Sequence, residues 1–69
     1  MASTQMDRVY AFIQATLHRQ GYPPSFEEIG QACRLHRRQV LSSLWRLEKA
    51  GRLRFRPDLP RSLRLHTEG

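Results

Sequence analysis

His36, Arg37, Arg38, Gln39, Ser42 and Arg46 crowd one short stretch of a 69-residue chain, and every one of them donates or accepts hydrogen bonds. Arginine can offer two parallel N–H groups to guanine O6 and N7. The glutamine amide fits adenine N6 and N7 in the same paired way. Arg38, Gln39 and Ser42 are the candidates for reading base edges, and Arg37 for reading guanine or holding a phosphate. Farther on, Arg52, Arg54 and Arg56 alternate with Leu53 and Phe55. Alternate residues of a strand share one face about 7 Å apart, so this run predicts a row of cations. Arg61 and Arg64 follow, placed to approach a phosphate backbone or a narrow minor groove. Simpler readings stand beside these: the wet side of an amphipathic helix, and edge-strand charges that prevent sheet-to-sheet pairing.

Charge supports the first reading. Twelve Lys and Arg against six Asp and Glu give +6, and eleven of the twelve cations are arginine. Residues 1–33 carry two cations against three acids, whereas residues 34–66 carry ten against two. Such asymmetry points to a polyanion, nucleic acid ahead of a membrane surface. The preference for arginine suits bidentate contacts with phosphate and guanine, and a GC-rich genome would produce the same preference.

Other chemistries find little. Cys33 and His36 have a ligand-like spacing, but a structural zinc needs four ligands, and His18 and His66 lie far off in sequence. Cys33 reads as a small buried hydrophobe. Ser42, Ser43 and Lys49 make no nucleophile–base set, and no glycine-rich phosphate loop is present. The expectation is a non-enzyme without metal or cofactor. One cysteine makes no internal disulfide, the apolar runs are too short to span a membrane, and the N-terminus lacks a secretory signal pattern. A cytoplasmic, nucleoid-associated protein is expected.

The elements that position these residues follow from periodicity. Met6, Val9, Ile13 and Leu17 form a helical stripe from Thr4 to near Arg19, with Tyr10 and Phe12 beside it. Ser3 or Thr4 caps this helix, Asp7 completes a capping box with Thr4, and Gly21 ends it. Tyr22-Pro23-Pro24 is a rigid connector. Ser25 and Glu28 form a second capping box that opens a short helix, Phe26 to about Cys33. The amides there, with Ser25, also suit a phosphate. After a break at Arg34-Leu35-His36, Val40, Leu44 and Leu47 mark a third helix from about Arg37 to Ala50, closed by Gly51. The period then drops to two. Leu53 and Phe55, a turn at Pro57-Asp58-Leu59-Pro60, and Leu63 and Leu65 alternating with Ser62, Arg64 and His66 predict a β-hairpin. Leu41 and Trp45 lie off the main stripe and either close the core or meet a partner.

Three helices and a two-stranded antiparallel hairpin make an α+β, mostly α, winged helix-turn-helix. One domain over residues 3–66 is expected, with residues 1–2 and 67–69 frayed. Val9, Ile13, Gly21, Pro23-Pro24, Glu28-Ile29, Gln31, Leu44, Leu47, Gly51 and Arg61-Ser62-Leu63-Arg64-Leu65 resemble the N-terminal DNA-binding domain of LexA-type repressors. The resemblance implies sequence-specific binding of double-stranded DNA by a prokaryotic transcriptional regulator. The third helix would read the major groove and the wing would contact the backbone or minor groove. The turn before helix three is shorter than the family's. Arg37-Arg38 stand where it carries smaller or uncharged residues, so a different operator is expected. The sequence ends where such repressors continue into a self-cleaving domain, so autocleavage is not implied. A homodimer on a pseudo-palindromic site is one expectation. Alternatives are a winged-helix module docking on RNA polymerase or a replication complex, and a plasmid or phage replication or packaging factor.

Overall fold

The computed structural model describes residues 4–59 and 61–65. Helix α1 runs Gln5–Gln20, α2 Phe26–Cys33 and α3 Arg37–Lys49, followed by strands β1, Leu53–Arg54, and β2, Arg64–Leu65. This is the winged helix-turn-helix architecture expected. Ser3, Pro60, His66 and the proposed frayed ends fall outside the described residues.

Capping sets the helix boundaries. Thr4 and Asp7 form a reciprocal box at α1, and the Gly21 amide donates to the Leu17 carbonyl from a left-handed conformation. Ser25 and Glu28 form the second box, with the Ser25 amide donating to Glu28 Oε1 at 2.8 Å. A third box was not foreseen: His36 Nδ1 accepts from the Gln39 amide, and Gln39 Oε1 accepts from the His36 amide. Residue 50 serves as the C-cap of α3, one position past its last helical residue.

The α2–α3 turn is held by one carbonyl. Both the Arg34 and Leu35 amides converge on the Gly30 oxygen. Arg34 takes φ 59°, ψ 49°, a left-handed conformation that costs a non-glycine residue about 1–2 kcal/mol. The chain then folds back so closely that a Cβ on Gly30 would lie 2.7 Å from the Leu35 carbonyl oxygen and 3.5 Å from Val40 Cγ2.

The core joins all the elements. Val9 and Ile13 of α1, Phe26, Ile29 and Cys33 of α2, Val40, Leu44 and Leu47 of α3, and Leu53, Phe55 and Leu63 of the wing are buried together. Met6, Leu35, Leu41 and Leu65 pack at its margin. Fully burying an aliphatic or aromatic side chain contributes about 1.5–3 kcal/mol, so this cluster supplies most of the favourable free energy. Ser43 is buried too, accepting from Gln5 Nε2 at 2.8 Å, which ties the start of α1 to α3.

The wing departs from a regular hairpin. Its ladder is two residues long, Leu53 opposite Leu65 and Arg54 opposite Arg64. Beyond it the Ser62 hydroxyl replaces ladder bonds, accepting from the Arg56 amide at 2.7 Å within reach of the Arg56 and Leu59 carbonyls. The alternation of Leu53, Phe55 and Leu63 inward with Arg54 outward is kept.

Gly30→Ala is expected to destabilise the domain by about 1–3 kcal/mol, although alanine is the better helix former, because the methyl meets backbone. A thermal melt checks this, and an unchanged or higher midpoint would contradict the close approach.

Candidate nucleic-acid interface

Helix α3 lies with Val40, Ser43, Leu44 and Leu47 inward. Arg37, Arg38, Ser42 and Arg46 are exposed. Among the described residues, no carboxylate comes within ion-pair distance of Arg37, Arg38 or Arg46. The cations at the front of the helix, Arg37 and Arg38, face an unfavourable helix dipole, since the N-terminus carries partial positive charge. Among the described residues no carboxylate compensates them, but an anion would.

His36 and Gln39 occupy the same end with a second task. Their side chains are engaged with each other's amides. The Gln39 amide nitrogen remains outside that box, whereas its oxygen is held in it. Ser25 is likewise committed as the α2 cap, accepting from the Glu28 amide at 3.1 Å.

The wing arginines keep the alternation with buried Leu53 and Phe55 but separate into two groups by their partners. Arg52 precedes β1 and turns to α1: its guanidinium lies 4.0 Å from the Tyr10 ring centroid and 3.6 Å from Asp7. Arg56 lies past β1 and pairs with Asp58 at 3.5 Å, an exposed pair of little energetic weight. Arg61 donates to Glu28 Oε1 at 2.9 Å and to the Pro23 carbonyl at 3.2 Å, with its guanidinium 5.7 Å from the Tyr22 ring centroid. It straps the wing to the start of α2. Sequence reasoning missed this link because its partners lie far away along the chain.

Arg54 and Arg64 differ from these three. They are exposed, face each other directly across the ladder, and have no carboxylate partner among the described residues. Like charges in opposed positions destabilise a strand pair. A phosphate between or beside them would reverse the sign of that interaction.

The wing root is tied to the helices through aromatic rings. Phe55 meets Phe26 at 5.9 Å and Trp45 at 4.7 Å between centroids, both edge-on. Its amide donates to Glu48 of α3 at 3.4 Å. Leu41 is half-buried against the core, while Trp45 keeps 50% of its surface exposed. Trp45 therefore supports the wing with one edge and leaves the other to solvent.

With three helices, a turn and a wing in this arrangement, the family comparison is decisive: the model of the LexA DNA binding domain matches residues 2–62. The chain belongs to the LexA DNA-binding domain family. Among its relatives, the LexA repressor of Staphylococcus carnosus is 36% identical over 62 residues, covering 88% of this chain and 30% of that protein. The LexA repressor of Clavibacter sepedonicus is 46% identical over 56 residues, covering 80% of this chain and 25% of that protein. That of Thermotoga maritima is 38% identical over 58 residues, covering 84% and 29%. The chain thus spans a quarter to a third of the length of these LexA relatives. No helix of the described LexA-family fold is long and apolar enough to cross a membrane.

Cys33 and Glu28 respond to this fold. Burial pushes the Cys33 thiol up, against the opposing charge of Arg8. Arg8 meanwhile donates to the Cys33 carbonyl at 3.0 Å and so satisfies the end of α2. The Glu28 carboxyl is held below the usual range, first by the Ser25 amide and then by Arg61. A lowered folded-state value means that its stabilisation is present above the ordinary glutamate value, about 4.3, and is lost as pH falls through the folded value. Acid melts should therefore loosen the wing and the α2 cap together, and Glu28→Gln should flatten that limb of the stability curve. An acid limb unchanged in the variant would contradict the shared role of this carboxylate.

Proposed function

We propose that this chain is the non-catalytic, DNA-reading part of a transcriptional repressor that binds double-stranded DNA sequence-specifically. The observation that carries this reading is the set of exposed arginines without acidic partners among the described residues, Arg37, Arg38 and Arg46 on α3 and the opposed Arg54 and Arg64 on the wing. Membership of the LexA DNA-binding domain family supports it.

In this reading α3 enters the major groove by its N-terminus, as the second helix of such motifs does. Arg38 and Ser42 address base edges, and Arg37 addresses guanine or the adjoining phosphate. Gln39 reads through its amide nitrogen while its oxygen keeps the cap. Arg46 lies farther back along α3, toward the backbone. Arg54 and Arg64 hold phosphates flanking the groove. Ser25 and the α2 amides form a further phosphate contact. Arg52 and Arg61 act chiefly by fixing the wing through Asp7 and Glu28, whereas Arg56, in a weak exposed pair with Asp58, is open to a phosphate. One domain covers one half-site, so two copies on a pseudo-palindrome would supply the affinity and occlude polymerase. The place of action is the nucleoid.

Duplexes selected from a random pool, measured at several ionic strengths, test the assignment. Arg54→Ala should weaken binding alike on selected and scrambled duplexes and reduce the log–log salt slope by about 0.9. Arg38→Ala should instead erode discrimination, by about 1–3 kcal/mol at one base pair. Binding indifferent to salt, or both substitutions acting identically, would refute these roles.

A further inference from the structure

Trp45 is the feature of α3 that neither the core nor the arginine contacts absorb. Arg38, Ser42, Trp45 and Lys49 follow one another at spacings of four, three and four residues. That spacing defines one face of a helix. All four are exposed, and they lie opposite the buried Val40, Ser43, Leu44 and Leu47. The tryptophan therefore shares the outward face of the proposed base-reading residues. It stands seven residues behind Arg38, about 10 Å along the axis.

The ring is also fixed in place. Phe55 at the wing root holds it edge-on at 4.7 Å, and Phe55 is itself buried against Phe26. A half-exposed indole locked in this way presents a rigid apolar face with one hydrogen-bond donor, Nε1–H. Among the described residues no acceptor engages that donor. A major groove is about 12 Å wide, so a helix that meets bases near its N-terminus carries a residue two turns back to the groove wall. Sugars and phosphates line that wall.

We infer that Trp45 is a DNA-contacting residue, packing its indole against a deoxyribose at the edge of the major groove and donating Nε1–H to a phosphate oxygen. This rests on the proposed DNA-reading role of α3. The cationic surroundings favour a polyanion over a protein as the occupant: Arg38, Arg46 and Lys49 flank the ring in sequence, while Glu48 is half-buried against Phe55 and Asp7, which lies near Ser42 and Arg46, is paired with Arg52.

Trp45 is the single tryptophan of the chain, so its fluorescence reports on this position alone. The probe is a short duplex recovered by selection and carrying a fluorescent label distinct from tryptophan. Anisotropy of the label records binding, and acrylamide quenching of the indole records shielding. At saturation, quenching should fall severalfold. Trp45→Phe, which keeps an aromatic ring and loses the donor, should weaken binding by about tenfold, the scale of a hydrogen bond to a charged group. A thermal melt of the variant establishes that it is folded. Unchanged quenching of the wild-type chain on a saturated duplex would overturn the inference, as would full affinity in the folded phenylalanine variant. Shielding by a protein partner with none by duplex would assign the surface to protein and overturn it as well. Failure of the labelled duplex to bind at all would instead strike the DNA-reading role itself, and this contact with it.

Discussion

The close approach of the Gly30 backbone to the Leu35 carbonyl is the constraint on which the rest of the molecule depends. It lets two amides share the Gly30 oxygen, turns the chain through Arg34, and brings Val40 down onto α2. The direction of α3 is set there. Since Val40, Leu44 and Leu47 then fill the core, the phase of the helix is set as well, and Arg38, Ser42 and Trp45 must face out. A rigid helix aimed by packing is a better reader than one aimed by a mobile loop, because binding then orders fewer groups.

The wing is positioned by different means. Its two-residue ladder would be marginal alone. Three contacts outside the ladder hold it: Phe55 between Phe26 and Trp45, Arg61 on Glu28, and Arg52 on Tyr10 and Asp7. Glu28 serves two elements at once, since one carboxylate caps α2 and receives the wing arginine. Arginines that looked alike in sequence thereby divide into those that build the wing and those left to meet an anion.

Much of this was legible in the residues themselves. Capping boxes at Thr4–Asp7 and Ser25–Glu28, the glycine at 21 and the stripes of α1, α2 and α3 are local signals, and local hydrogen bonding and periodicity determine them. The His36–Gln39 box escaped notice because histidine is an uncommon N-cap and because both residues looked like base readers. The division of the wing arginines by partner was not legible in the same way. Strand alternation says which side a residue faces, but Ser62 ends the ladder early, and the pairings of Arg52 and Arg61 depend on α1 and α2, which are distant in sequence. Trp45 could not be assigned from spacing alone, because its exposure is decided by where Phe55 comes to rest.

Amide chemical-shift mapping of the labelled chain with a selected duplex addresses the assignment of the binding face most directly. The largest changes should fall on Arg37–Arg46 of α3 and on Arg54 and Arg64 of the wing, with the outer face of α1 unmoved. Changes concentrated at Ala11, Gln14, Ala15 and His18, with α3 silent, would place the duplex on the opposite side and contradict it.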